Sequence, residues 1–272
     1  VSSPTTCTIP LTQNLTQPNA ITATASITTP FTCANTGATI TAVANGGTPT
    51  YTYQLETNLG AIIRAYQPTA TFNNVPANAS GENYVVRILD SRNCTNVTLP
   101  AVTVDAPEAP TFTATPTACY SGASDGEIVV NVTGGNGNLV FSIDNGPFVA
   151  PTPTTAFTYT FTNLASGDHI INVQDGYGCS AATQTITINP ELSVTASANA
   201  ITTCGTSTDV TITATGGDAN YVYAIVADGV TPLASDFAIT NPIAIAAAGD
   251  YDVYVRDHAG ATGFCFDMFD IT

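Results

Sequence analysis

The sequence predicts an all-β chain made of tandem sandwiches, and three observations carry that expectation. Apolar and polar residues alternate in short runs, among them ITATAS at 21–26, EIVVNV at 127–132 and DVTITAT at 209–215. A period of two, bounded by Gly, Pro and Asn, marks half-buried strands. The cysteines are periodic: Cys94, Cys179 and Cys265 lie 85 and 86 residues apart, and Cys33, Cys119 and Cys204 lie 86 and 85 apart. Between these landmarks a glycine pair recurs, at Gly46-Gly47, Gly134-Gly135 and Gly216-Gly217, each followed by a strand-like run, YTYQL, LVFSI or YVYAI.

A unit of about 86 residues with six or seven strands suits an immunoglobulin-like, fibronectin-III-like sandwich. The 272 residues then hold repeats at 19–108, 109–190 and 191–272, with boundaries near Pro18, Pro107 and Pro190. Residues 1–18 read as the last strand of a preceding, truncated repeat, because Cys7 falls 87 residues before Cys94. The chain is thus expected to be a piece of a longer array. Its short, proline-bearing linkers predict stiff joints and an elongated rod.

In the second repeat, strands are expected at 112–117, 127–132, 139–143, 157–164, 169–174 and 185–188. Asp144-Asn145-Gly146 supplies a tight turn after the third. The alternation points Ile128, Val130, Val132, Phe141, Ile171 and Val173 inward.

Composition narrows the partners. Twenty acidic residues face four basic ones, all arginine, for a net charge of −16. Phosphate backbones and anionic headgroups are bound through Lys and Arg, so neither nucleic acid nor membrane is an expected partner. No apolar run is long enough for a membrane-spanning helix. Only 9% of residues are charged while 48 are Thr, a β-branched residue suited to strands, as in an extracellular β-protein.

One segment is written three times: GENYVVRILDSRNC at 81–94, GDHIINVQDGYGC at 167–179 and GDYDVYVRDHAGATGFC at 249–265. The second repeat orders its landmarks as Cys119, Asp125-Gly126, Gly134-Gly135, Gly167-Asp168, Asp175, Gly178-Cys179 and Pro190. This order resembles the SprB-type repeat of Bacteroidota gliding-motility adhesins. The first repeat lacks the Asp-Gly pair, and the third inserts residues between Asp257 and Cys265. The resemblance implies a long cell-surface filament protein, exported by type IX secretion, whose partners are adjacent repeats, the secretion and motility machinery, and surface polysaccharides or glycans.

Seven cysteines in a secreted β-protein read as disulfides; the clustered spacing of a zinc site is absent. Two schemes fit. Pairing Cys33 with Cys94, Cys119 with Cys179 and Cys204 with Cys265 keeps each bridge within a repeat, at separations of 61, 60 and 61, and leaves only Cys7 unpaired. That economy favours it, although in a seven-stranded sandwich the two loops concerned lie at opposite poles. The rival joins neighbouring repeats, Cys33 with Cys179 and Cys119 with Cys265, both 146 residues apart.

Other constellations carry less. Asp90, Asp175 and Asp257 end the same strand in each repeat, but no calcium-loop spacing accompanies them, and a turn-capping role is expected. His169 and His258 lack a nucleophile context, and the five glutamates occupy unrelated places. No enzyme, cofactor or metal site is expected. Ligand recognition, if present, falls to edge strands or to the variable segments NLGAIIRAYQPTATF, NGPFVAPTPTTAF and DGVTPLASDFAIT.

Overall fold

The structure is a computed structural model describing residues 17–200, 206–257 and 265–272. The chain divides into two compact units, residues 1–107 and 108–272.

The first unit carries β1 (Thr22–Thr29), β2 (Ala38–Asn45), β3 (Thr52–Thr57), β4 (Ile62–Gln67), β5 (Thr71–Val75), β6 (Glu82–Leu89), β7 (Thr95–Val97) and β8 (Val102–Val104). One sheet has the order β1-β2-β5; the other runs β4-β3-β6-β7, with β8 also on β6. Ile40, Leu55, Phe72, Val86 and Ile88 fill the space between them. On the outer face of the first sheet the polar partners are threonines. The Thr41 hydroxyl lies 3.3 Å from those of both Thr28 and Thr71, a row of hydroxyls across three strands.

The second unit contains two sandwiches, each with its own core. The first is built from β9 (Thr111–Pro116), β10 (Gly126–Thr133), β11 (Val140–Ile143), β12 (Thr158–Leu164), β13 (Gly167–Gln174) and β14 (Gln184–Ile188). The other comprises β15 (Ser193–Ala198), β16 (Thr208–Thr215), β17 (Tyr221–Ala227), β18 (Ile243–Ile245), β19 (Tyr251–Asp257) and β20 (Phe266–Ile271). Their sheets repeat one plan, β12-β10-β9 against β11-β13-β14 and β15-β16-β18 against β17-β19-β20. In immunoglobulin lettering each sandwich pairs strands A, B and E with C, F and G, all antiparallel. Among the described residues the single helical element is a 3₁₀ turn, Ala234–Asp236.

The expected strands of the second repeat lie within two residues of those observed, and its six expected inward residues are all buried. They are legible because strand B, GEIVVNVT, buries every second residue with strict regularity. Ile128 and Val130 are fully enclosed, and each such side chain contributes about 1.5–3 kcal/mol by leaving water.

The glycine pairs form the B–C turns, where the chain entering each sandwich comes closest. At Gly216 (φ 79°) a Cβ would sit 1.8 Å from the Glu191 carbonyl oxygen, so no side chain fits. The amide of Gly217 donates to Pro190 O at 2.8 Å, and Gly47 donates to Asn19 O at 2.7 Å. The tyrosine five residues after the first glycine closes the turn. Tyr221 donates its hydroxyl to Gly216 O at 2.6 Å, Tyr51 donates to Gly46 O in the same way, and the second repeat substitutes the buried Leu139.

Candidate functional site: the aspartate–cysteine loop and its staple

The thrice-written segment is strand F followed by the F–G turn. In the first repeat the buried Asp90 carboxylate accepts from Thr48 N at 2.8 Å, across the pole in the B–C turn. Its other oxygen accepts from Arg92 N at 2.9 Å and Cys94 N at 2.8 Å. The second repeat copies this: Asp175 takes Asn136 N at 2.7 Å, Tyr177 N at 2.9 Å and Cys179 N at 2.8 Å. In the third, Asp257 accepts from Cys265 N at 2.7 Å, while its second oxygen is buried with no partner among the described residues. In the first two repeats one carboxylate thus ties two loops of the same pole together and presents a cysteine at a fixed place. The structure places Asp90, Asp175 and Asp257 in separate repeats, with both oxygens of the first two and one oxygen of Asp257 accepting from backbone N–H groups.

Strand direction decides where the cysteines can meet. Strands B and E are both antiparallel neighbours within their sheet, and F runs antiparallel to C, so the B–C and F–G turns share one pole. The A–B loop, which carries Cys119, lies at the other. Strand G ends at that second pole, so the A–B loop stands beside the linker to the next sandwich. Gly122 of this loop lies against the Glu191 side chain, where a Cβ would come within 2.4 Å of Oε2. Cys119 and Cys265 are bonded, S–S 2.21 Å and Cα–Cα 5.3 Å, across 146 residues.

The within-repeat pairing is therefore corrected. Cys119 is joined to Cys265 and not to Cys179, which leaves the pairing of Cys204 with Cys265 no room. Cys94 is a free, exposed thiol and so is not the partner of Cys33. The reason is the pole-to-pole separation, which exceeds what a disulfide spans. Cys33 and Cys179 are each disulfide-bonded. Cys7, Cys204 and His258 lie outside the described residues.

His169 pairs with Asp144 of the C-strand turn, Nδ1 to Oδ2 at 2.8 Å, and its Nε2 lies 3.0 Å from Ala165 O. Burial works against the charged imidazole, but the Ala165 carbonyl and Asp144 outweigh it and raise the pKa. The pair braces a turn; among the described residues no hydroxyl or thiol nucleophile joins it.

The sequence reading missed two features. Asp252 and Asp270 face each other across β19 and β20, and with Asp228 they bring one oxygen each to within 4.8 Å of one another. A hydrogen bond to Asp252, then burial and the neighbouring charges, raise the Asp270 pKa. Gly229 N donates to Asp252 Oδ2 at 2.9 Å. The three oxygens brought together are three of the six to eight that calcium takes. The signal was the register of the two acidic strands, which no spacing in the sequence reveals.

The second feature is the outer face of the C-F-G sheet. At the position three residues before the strand-F aspartate stand Arg87, Asn172 and Tyr254 in the three repeats. Arg87 is locked by a two-pronged pair with buried Glu56, 2.7 and 3.0 Å. Tyr254 lines an apolar pocket of about 240 Å³ with Arg256, whose guanidinium sits 4.5 Å over the Phe237 ring. Asn172 lines a polar cleft with Ser142 and Thr183.

These sheets define the class: tandem immunoglobulin-like β-sandwiches. The family model of the SprB repeat matches residues 25–60 and 111–148, which lie in the first and second sandwiches. No curated protein matches the chain. Among solved structures it is similar to the fibronectin(III)-like modules of CbhA from Clostridium thermocellum, 15% identical, covering 63% of this chain and 94% of that one with a TM-score of 0.34. It is similar also to a structure of a 1.5-MDa bacterial ice-binding adhesin studied for host cell surface retention, 16% identical over 93% and 98% of the two chains, TM-score 0.35. The ectodomain of mouse nectin-like molecule 4 is 11% identical over 93% of each chain, TM-score 0.31.

Two outcomes test the aspartate clamp. Asp175→Ala leaves three inward-facing N–H groups without acceptors and is expected to cost about 2–4 kcal/mol in urea denaturation. Asp90 is held below the usual carboxylate range, first by the Thr48 N–H, then against burial by those of Cys94 and Arg92. Its contribution is present above its unfolded pKa and lost as pH falls through the lower folded value. An acid melt of the chain should therefore lose part of its slope below about pH 4 in Asp90→Asn.

Proposed function

We propose that this chain is a structural and adhesive segment of a bacterial cell-surface filament, serving surface attachment and gliding, and working through reach and stiffness. The observation that carries the reading is the Cys119–Cys265 bond, which joins the A–B loop of one sandwich to the F–G turn of the next. The linker at Pro190–Glu191 is held between that loop and the glycine pair of the third repeat, so the joint is clamped by backbone contact and by a covalent bond. The SprB-repeat match and the oxidised cysteines support an extracellular, surface location, and the family resemblance supplies export by type IX secretion and movement along the cell. Among the described residues no helix is long and apolar enough to cross a membrane.

The pairing step extends the reading. A cysteine on an F–G turn bonds one on the A–B loop 146 residues earlier, as Cys265 does with Cys119. Cys94 sits on an F–G turn held like that of Cys179, and its partner is proposed to be an A–B loop cysteine of a preceding repeat. The parent filament is then a succession of sandwiches, each stapled to its neighbour.

Two measurements test this. In single-molecule pulling from both ends, the oxidised chain shields the 146 residues between Cys119 and Cys265 from load, and freeing them by reduction is expected to add up to roughly 500 Å of extension. Equal extensions with and without reductant would discard the stapled reading. In a non-reducing peptide map, Cys94 of this chain should be alkylated as a free thiol, whereas in a longer stretch of the parent protein it should appear cross-linked to an upstream cysteine. A free Cys94 in that longer stretch would contradict the array.

A further inference from the structure

The polar cleft of the second repeat has a construction that the described residues of the other two repeats do not share. Its floor is the cross-strand pair Ser142 and Asn172 on β11 and β13. One wall is the turn after strand C, with Asn145, Gly146 and Phe148; the other is the segment after strand F, with Ser180 and Thr183. The volume is about 400 Å³, and none of its lining residues is charged. Ser142 is buried and donates to Gly146 O at 2.7 Å, which leaves the lone pairs of its own oxygen as acceptors. Thr183 Oγ1 donates to Asn172 Oδ1 at 2.8 Å. That bond fixes the amide so that its two N–H donors meet no acceptor among the described residues. Phe148 is 47% exposed at the rim.

We propose that this cleft is a binding site for a neutral hexose-based oligosaccharide; the inference rests on the adhesive part of the function proposed above and gives that part a location. The chemistry selects the ligand. With no cation to meet phosphate, sulfate or carboxylate, and with no carboxylate for a metal, the cleft suits an uncharged molecule. Its mixture of amide donors and hydroxyl acceptors would be desolvated at a loss by an apolar ligand and is matched by a polyol. An exposed ring beside such groups offers an apolar face to the C–H side of a pyranose.

An extended peptide fits less well, because peptide strands bind by pairing with open sheet edges. Here both neighbours of the cleft are already paired: Phe141 exchanges two backbone bonds with Val149, at 2.9 and 2.8 Å, and Ala181 N donates to Val173 O at 2.9 Å. Recognition is left to side chains on a closed face. The corresponding face of the first repeat is filled by the Arg87–Glu56 pair, and that of the third is aromatic, so among the described residues the site belongs to the second repeat.

The test is an NMR titration of the whole ¹⁵N-labelled chain with neutral glucose-, mannose- and galactose-based hexasaccharides, a hexuronate and an uncharged hydrophilic peptide. At least one neutral hexasaccharide is expected to shift the Asn145, Gly146, Asn172, Ser180 and Thr183 signals saturably. The isosteric Asn172→Asp should weaken that binding about tenfold, for the lost donors, and the exposed Phe148→Ala roughly three- to tenfold. Unchanged affinity in both variants, whose spectra report that the fold is kept, would overturn the site. Saturable shifts that map to another repeat would overturn it too, while leaving the adhesive reading intact. Binding of the peptide or the hexuronate in preference to every neutral sugar would overturn the ligand class. If no probe binds, the site and the adhesive part fall together, and the stapled structural segment stands on its own pulling test.

Discussion

A carboxylate turned inward at the end of strand F sets the terms for the rest of the molecule. It accepts N–H groups from its own F–G turn and, in the first two repeats, from the B–C turn beside it, so two loops that would otherwise move independently form one surface. In the first repeat that surface receives the incoming chain, whose Asn19 carbonyl accepts from Gly47; in the third, Gly217 of the B–C pair donates in the same way to Pro190 O. It also carries the cysteine. The aspartate therefore acts on the joint between sandwiches as much as on the sandwich it belongs to.

From this follows the logic of the disulfide. Cys119 on the A–B loop faces away from its own F–G turn and toward that of the following sandwich, so its bridge to Cys265 joins neighbours. Closing a loop of 146 residues restricts the unfolded chain by roughly 5 kcal/mol in the chain-entropy account. Its second effect is mechanical: tension passes through the sulfurs, and the strands between them are spared.

Much of the fold was legible in the residues. Ile128, Val130 and Val132 announce a half-buried strand by alternation alone, and the recurrence of aspartate and cysteine fixed the repeat length and the turn-capping role. The cysteine partners were not legible, because both schemes keep constant spacing and the choice depends on strand direction. Direction in turn depends on the crossing from strand C to strand E, through segments as unlike as NGPFVAPTPTTAF and DGVTPLASDFAIT, which have no shared signal. The cleft was hidden for another reason. Asn172, Ser142 and Thr183 are three polar residues among many, and only the register of β11 against β13 and the fold-back of residues 144–149 bring them to one place.

The threonine rungs on the outer face of β1, β2 and β5 bear on where such a protein can work. Hydroxyls bonded to hydroxyls hold no counter-ion cloud and have no proton to lose in the ordinary range, so ionic screening leaves their cohesion alone. Those rungs hold no charge for dissolved salt to screen.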